Sequence, residues 1–230
     1  MNIHNLEEKE GFFLKFGEIA GDRVGLYTPK PDVGWDATNL QYRSLILNES
    51  GEIVSIGFKR FFNLLERQEL DSWVHSWPVS ATAKHDGSLL IVSNYKGEVI
   101  HRTRGTFCAT NLENGAEIEF LKKKYPNVFG VAAPYSYLYE WETPSNRIVL
   151  EPPKEPTLTL IGAISHDTLS YVSHRELDCL AKIFGVARPK YYNFDSLEEC
   201  VETVKDWKGA RVYLEAVGME IGRASCRERV

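Results

Sequence analysis

Cysteine is scarce in this chain, and the four residues present are too widely spread to form a motif. They lie at Cys108, Cys179, Cys200 and Cys226 of 230 residues. No pair has Cys-x-x-Cys spacing, and none forms a cluster with histidine at the spacing of metal ligands. This pattern is typical of a reduced, intracellular protein, and it gives no indication of a thiolate metal site or a disulfide framework.

Long apolar runs, targeting signals and an excess of basic residues are also lacking. No stretch reaches the ~18 apolar residues that span a bilayer, and residues 1–8 show no basic-then-apolar signal pattern. We therefore expect a cytoplasmic protein with no membrane partner. The net charge is −5 and the pI is about 5.7. This balance argues against a generally basic nucleic-acid-binding surface but allows a local basic groove.

Apolar and aromatic residues are plentiful enough for a large core. Hydrophobic residues make up 43% of the chain, with five Trp and eleven Tyr, and the length suits one large domain or slightly more. Alternating runs bounded by turn residues predict mainly antiparallel strands with a few helices, which is fold class α+β. The predicted strands are 42–47, 53–58, 79–83, 89–93, 98–103, 137–142, 147–150, 158–164 and 211–217. The predicted helices are 114–125, 173–184 and 195–207, with a short amphipathic segment at 64–77 and residues 1–40 of mixed character.

Residues 81–89 carry a lone lysine in a turn between two strand-like runs. Lys84 is followed by His85, Asp86, Gly87 and Ser88. A lysine acts as a nucleophile only after it loses its proton, which desolvation and neighbouring cations favour. Glycine allows a tight turn that brings the strand against a nucleotide. Asp-Gly is also a common hairpin turn, so the stretch alone fits a surface hairpin as well as a reactive lysine.

Five segments, in order, resemble the motifs of the bacteriophage-type RNA ligase 1 family. This family belongs to the covalent nucleotidyltransferases, together with DNA ligases and mRNA capping enzymes. The resemblance covers nearly all of residues 42–219. The segments are Tyr42-Arg43-Ser44-Leu45 with Phe58-Lys59-Arg60-Phe61-Phe62-Asn63, the Lys84 turn, Thr103-Arg104-Gly105-Thr106, the run EWETPSNRIV at 140–149, and Leu214-Glu215-Ala216-Val217.

The resemblance implies an ATP-dependent RNA ligase with a nucleotidyltransferase (ATP-grasp-like adenylation) domain of mainly antiparallel sheets and flanking helices. Lys84 would attack the α-phosphorus of ATP, forming lysyl-AMP and releasing pyrophosphate. The AMP would then pass to the 5′-phosphate of an RNA, and a 3′-hydroxyl would displace it to seal the strand. The partners implied are therefore RNA ends. Whether a polynucleotide kinase partner exists stays open.

Five further residues would bind ATP and its metal in such a site. Arg43, Arg60 and Arg104 would surround the phosphates, which suit bidentate guanidinium contacts. Glu140 would accept hydrogen bonds from the ribose hydroxyls, and Glu215 would hold a divalent ion, Mg²⁺.

Simpler interpretations compete with these roles. Arginines on strands are usually exposed or paired with acidic residues. Strand alternation places Glu142 on the same face as Glu140, and only the motif register favours Glu140. Phe61 and Phe62 suit a core better than a surface that stacks on bases.

The chain departs from the family pattern in three places. Arg60 stands where the family usually has lysine, and Ala216 replaces the glycine after Glu215. The family's final Lys-x-Lys motif would fall within residues 221–230, which contain three arginines and no lysine. These ten residues match the translation of a common sequencing adapter, although a native basic tail is the alternative. We expect an adenylyltransferase domain over 1–220, incomplete at its C-terminal end, that adenylylates itself poorly.

Two other functions remain open at this point. A DNA ligase or a GTP-using capping enzyme shares the lysine turn, although the segments around Arg43 and Arg147 favour the RNA ligase branch. A catalytically impaired module that binds nucleotides or RNA ends would account for Arg60, Ala216 and the missing lysines. The intact Lys84 turn argues against that alternative.

Overall fold

The computed structural model describes residues 6–62, 78–85, 87–109, 116–131, 134–144 and 153–204, with the backbone of 212–216 and 224–226. The chain forms two compact units. The larger unit comprises Met1–Lys59 and Gly87–Arg188, and the smaller unit comprises Arg60–Asp86 and Pro189–Val230. Some predicted features lie outside the described residues: Asn63, the segment 64–77, Asp86 and the strand 147–150.

The chain contributes twelve strands and three helices to this description. The strands are β1 (Phe12–Ile19), β2 (Asp22–Pro29), β3 (Leu45–Asn48), β4 (Ile53–Ile56), β5 (Val79–Ala83), β6 (Ser88–Tyr95), β7 (Glu98–Arg102), β8 (Tyr135–Glu142), β9 (Thr157–Ser165), β10 (Tyr191–Phe194), β11 (Val212–Ala216) and β12 (Ala224–Cys226). The helices are α1 (Ala116–Lys124), α2 (His174–Phe184) and α3 (Leu197–Val204). None of these helices is long and apolar enough to cross a membrane.

The larger unit begins with an antiparallel sheet in the order β1-β2-β3-β4. Sequence analysis predicts no strand before residue 42, so it misses the β1–β2 hairpin. The hairpin turns at Ala20 and Gly21, with φ of 52° and 79°. Alanine rarely adopts positive φ. The pair also differs from the Asn-Gly and Asp-Gly sequences that usually indicate such a turn.

The prediction of one strand over residues 42–47 is wrong at its start. Tyr42 and Arg43 lie in a 3-10 turn, Leu40–Arg43, that precedes β3. The Tyr42 ring packs against Phe12 and Tyr27, with ring centroids 5.5 and 5.1 Å apart. Burial of this aromatic ring against β1 and β2 outweighs the strand preference of tyrosine.

The second sheet of the larger unit has the order β7-β6-β8-β9, with antiparallel pairing throughout. Apolar side chains of β6, β8 and β9 pack against α1 and α2. The strands contribute Leu90, Tyr139 and Leu160, and the helices contribute Leu121 and Leu177. A second cluster joins the two sheets, with Val24 and Ile46 packing against Tyr95 and Ile100. The predicted strands 89–93, 98–103, 137–142 and 158–164 are confirmed.

Helix α2 has both of its predicted ends. The Ser173 hydroxyl accepts from the Glu176 N–H, and the Glu176 carboxylate accepts from the Ser173 N–H, which is a complete capping box. Gly185 ends the helix in the left-handed region with φ of 69°. These local signals need no tertiary contact, so the sequence identifies them directly.

The smaller unit contains the third sheet, in the order β10-β5-β11-β12. Val79 and Ala81 of β5 pack with Phe194, Leu197 and Cys200 from β10 and α3. The predicted strands at 79–83 and 211–217 are confirmed, the second over the backbone of β11. The backbone of β12 pairs with β11. The separation of 1–220 from a foreign 221–230 stays a prediction.

Candidate active site

Glu140 of β8 holds the start of β6 in the larger unit. Its Oε1 accepts a hydrogen bond from the Gly87 N–H at 2.9 Å, and Glu140 is 8% exposed. A Cβ at Gly87 would clash with the Trp141 carbonyl. Glycine is thus required here by the close approach of two backbones, a use of glycine distinct from turn geometry. The choice of Glu140 over Glu142 as the residue that meets the ribose stays a prediction.

Arg104 is exposed on the loop that follows β7. The Thr106 hydroxyl closes this loop, since it accepts from the Thr103 N–H at 3.2 Å and donates to the Cys108 carbonyl at 2.6 Å. The Arg104 carbonyl accepts from the Ser44 hydroxyl at 2.7 Å. The backbone at Arg104 is therefore fixed while the residue stays exposed.

Ser44 brings together the segments of two predicted phosphate-binding arginines. It directly follows Arg43 in sequence and bonds to the backbone of Arg104, although 60 residues separate Ser44 from Arg104. The Arg43 guanidinium donates through Nη1 to the Lys59 carbonyl at 3.4 Å. The larger unit thus joins the Arg43 and Arg104 segments, as their shared predicted role requires.

Arg102, two residues before Arg104, is fully buried at 0% exposure. Its Nη1 donates to the Ser44 hydroxyl at 2.8 Å and its Nη2 to the Ser44 carbonyl at 3.2 Å. Its Nε donates to the Ser55 hydroxyl at 2.8 Å. No carboxylate among the described residues pairs with it, and burial lowers the pKa of Arg102 to about 9. Neutral oxygens alone therefore satisfy this buried guanidinium, an uncommon arrangement.

A chain of hydroxyls leads from Arg102 to a histidine. Ser55 is 2.9 Å from Ser93, Ser93 is 2.8 Å from Ser136, and Ser136 is 2.8 Å from His166 Nε2. Every bond in this row of hydroxyls is made when Ser55 donates to Ser93, Ser93 to Ser136, and Ser136 to Nε2 of His166. Burial, together with the Arg102 charge, lowers the pKa of His166 to about 4. The ring is therefore neutral at ordinary pH, and its Nε2 can accept the hydrogen bond from Ser136.

Lys84 directly follows β5 in the smaller unit. Its Nζ donates to the His85 carbonyl at 3.0 Å, and the residue is half-buried. Strand β5 pairs with β10 and β11, whereas β6 belongs to the sheet with β7 and β8. The turn between β5 and β6 therefore leads from one sheet to another, and the alternative of a simple surface hairpin at Asp-Gly is wrong.

Two other features of the smaller unit concern the predicted site. The backbone of Glu215 on β11 lies opposite Ser80 of β5, so β11 neighbours the strand that leads to Lys84. The Thr82 hydroxyl, buried on β5, has no hydrogen-bond partner in the described part of the chain. Buried polar atoms are nearly always bonded, so this hydroxyl is suited to a ligand. The Arg60 guanidinium lies 4.9 Å from the Phe62 ring centroid.

The described residues contain no cluster of three or more His, Cys, Asp or Glu that could hold a metal ion. In phosphoryl transfer, one or two carboxylates usually share Mg²⁺ with substrate phosphates and water. The side chain of Glu215, the predicted metal ligand, lies outside the described residues. A single carboxylate is therefore enough to fit the ion that the resemblance implies.

Arg102, Ser44 and His166 were not predicted as residues of this region. An arginine on a strand reads as a surface residue, and serine gives no signal of burial. The partners of Arg102 lie 47 and 58 residues away in sequence. Strand alternation could not have separated Arg102 from the exposed Arg104, since residues two apart share a face.

Comparison with solved structures identifies the fold. The chain matches an archaeal ATP-dependent RNA ligase over 94% of its own length and 58% of that chain, with a TM-score of 0.61 and 16% identity. It matches a Naegleria gruberi RNA ligase mutant, solved with ATP and Mn, over 93% of its length and 74% of that chain, with a TM-score of 0.61 and 15% identity. The fold is that of nucleotidyltransferase-type RNA ligases, and the predicted α+β class is confirmed.

The family follows from the sequence match. A family model described as RNA ligase, of the T4 type 1, covers residues 41–216, and the chain belongs to this family. A protein of Autographa californica nuclear polyhedrosis virus, assigned as a bifunctional polynucleotide kinase/RNA ligase, is 28% identical over 190 residues. That match covers 71% of this chain and 26% of the viral protein. The chain spans about a quarter of the viral relative and 58% of the archaeal ligase.

Proposed function

We propose that this protein is an ATP-dependent RNA ligase that joins RNA ends through a lysyl-AMP intermediate. The observation that carries the proposal is the family match over residues 41–216, which includes Lys84 and all of the proposed ATP-binding residues. Lys84 directly follows the strand β5, and only two residues separate it from Gly87, which Glu140 binds.

In the first step the neutral amine of Lys84 attacks the α-phosphorus of ATP. A nitrogen–phosphorus bond forms, the bond from the α-phosphorus to the bridging oxygen breaks, and pyrophosphate leaves. Such a transfer depends mainly on positioning and on neutralisation of phosphate charge. Arg43, Arg60 and Arg104 supply fixed positive charge for this purpose.

Glu140 and Glu215 have different roles in this proposal. One oxygen of Glu140 accepts from Gly87, which leaves the carboxylate with further acceptor capacity for ribose hydroxyls. Glu215 holds Mg²⁺ together with the phosphates. When bound, the ion neutralises charge on the triphosphate. The buried Thr82 hydroxyl supplies one more polar atom that the nucleotide satisfies.

Two further steps complete the reaction on RNA. The 5′-phosphate of one RNA end attacks the lysine-bound AMP, and Lys84 leaves with its electron pair and regains a proton. The 3′-hydroxyl of the second end then attacks the activated 5′-phosphate, and AMP leaves. The products are a sealed phosphodiester and free AMP, so one ATP is consumed for each bond.

A joining assay with two kinds of donor strand tests this function. We expect the protein to join a 5′-adenylylated RNA efficiently, and a 5′-phosphorylated RNA slowly with ATP and Mg²⁺. Lys84→Ala should abolish joining of the 5′-phosphorylated strand but spare the 5′-adenylylated one, because that donor already carries AMP. Failure of the parent protein to join either strand would overturn the proposal. A preference for GTP would favour a capping-type enzyme.

A further inference from the structure

One edge of the β1–β2 hairpin carries an exposed aromatic ring among cations. Phe13 on β1 is 49% exposed. The Lys30 Nζ lies 5.7 Å from its ring centroid. Lys15, two residues further along β1, shares the strand face of Phe13 because side chains alternate. We name Phe13, Lys15 and Lys30 the Phe13 strip.

The Phe13 strip lies beside the loop that carries Arg104. The Lys15 ammonium donates to the Gly105 carbonyl at 3.5 Å. On the same face of β1, a Cβ placed at Gly17 would lie 3.1 Å from the Phe107 ring. Strand β1 therefore packs on the loop on both sides of Thr106, and the strip continues the surface that exposes Arg104.

Within the described part of the chain, no carboxylate pairs with the cations of this surface. Neither Lys15 nor Lys30 nor Arg104 pairs with a carboxylate within the described residues. The opposite face of the same hairpin provides a contrast. There Phe16 is 51% exposed and lies 4.3 Å from the Arg23 guanidinium, but Arg23 forms an ion pair with Glu49 at 3.2 Å. Two similar aromatic–cation pairs thus differ in local charge.

We propose that the Phe13 strip binds a single strand of RNA that leads to the end being joined. A base stacks on the Phe13 ring while Lys15 and Lys30 contact the phosphates of adjacent nucleotides. Exposed aromatic rings among cations bind single strands without sequence preference, since every base has a π-face. This inference deepens the proposed function, because it names the surface that holds the RNA substrate of the same site.

The test measures binding of a 5′-phosphorylated single-stranded RNA by fluorescence anisotropy over a series of salt concentrations, without ATP. Phe13→Ala should weaken binding about fivefold or more, in the range for loss of one stacked base. The double variant K15Q/K30Q should lower the slope of log affinity against log salt by about 1.4, or 0.7 for each lost phosphate contact on a single strand. Phe16→Ala and Arg23→Gln are the matched controls and should bind as the parent does.

Equal losses for Phe13→Ala and Phe16→Ala would overturn the proposal, as would an unchanged salt slope in K15Q/K30Q. Thermal unfolding of each variant checks that the hairpin is intact. Attachment of AMP to Lys84 is measured in the same proteins and separates the two proposals. If Lys84 carries AMP but RNA binding does not depend on Phe13, this inference alone is wrong. Binding that depends on Phe13, with neither AMP on Lys84 nor joining of 5′-adenylylated RNA, would sink the ligase function alone.

Discussion

Arg102 and Arg104 are separated by one residue, yet they lie in opposite environments. Arg102 is fully buried and donates to Ser44 and Ser55, whereas Arg104 is exposed and is held through its backbone carbonyl. At the exposed position the charge itself is what the proposed function uses, as a partner for a phosphate. At the buried position the charge is a cost, and the directions of the guanidinium donors are what stabilise the fold.

Substitution of Arg102 should give the largest effect on stability, and lysine should be more destabilising there than methionine. Arg102→Lys keeps a buried charge but cannot reach Ser44 and Ser55 at once, so we expect a loss of about 3 kcal/mol or more in unfolding free energy. Arg102→Met removes the charge, while both hydroxyls keep other partners, and should cost about 1 kcal/mol. Chemical denaturation measures both values.

The same two substitutions at Arg104 provide the control. Arg104→Lys and Arg104→Met should each change stability by no more than about 0.5 kcal/mol, because the side chain is exposed. For attachment of AMP the order should be the conventional one, with lysine better than methionine. If Arg102→Lys proves as stable as Arg102→Met, the contrast between donor geometry and charge is wrong.

His166 should make the fold acid-sensitive. Its pKa in the folded state is lowered to about 4 from 6.5, so the unfolded chain binds a proton first as the pH falls. Stability is then fully present above pH 6.5 and is lost between pH 6.5 and 4, by roughly 3 kcal/mol at most.

Denaturation at a series of pH values measures this slope. His166→Gln, which cannot gain a proton in this range, should flatten it. Arg102→Met should also reduce it, since the Arg102 charge contributes to the lowered pKa of His166. An equally steep slope in His166→Gln would assign the acid sensitivity to other groups.

Ser44→Ala should have a modest effect on stability and a clear effect on nucleotide use. It removes the acceptor of Arg102 Nη1 and the donor to the Arg104 carbonyl, which should cost about 1–2 kcal/mol. The loop then loses its tie to the Arg43 segment, so the ATP concentration needed for half-maximal labelling should rise. Thr203→Ala, at an exposed position on α3 outside this network, serves as the control.

The sequence predicts Arg104 and the other motif residues better than it predicts Arg102. Lys84, Arg104 and Glu140 lie in contiguous motifs, and the ends of α2 are set by Ser173 and Gly185. These signals are local, so no tertiary structure is needed to recognise them.

The features that sequence analysis misses depend on contacts between distant segments. The burial of Arg102 requires serines from β4 and from the residue before β3. The 3-10 turn at Tyr42 is set by packing against Phe12 and Tyr27, and the hairpin at Ala20 requires a backbone conformation that alanine rarely adopts.

The most direct test of the account is to locate AMP on the protein. The protein is incubated with ATP, Mg²⁺ and pyrophosphatase, which removes the product of the first step, and is then digested at neutral pH to preserve a nitrogen–phosphorus bond. Mass spectrometry should find AMP on the peptide that contains Lys84, and Lys84→Ala should carry none. AMP on another residue, or an equal yield from Lys84→Ala, would contradict the account.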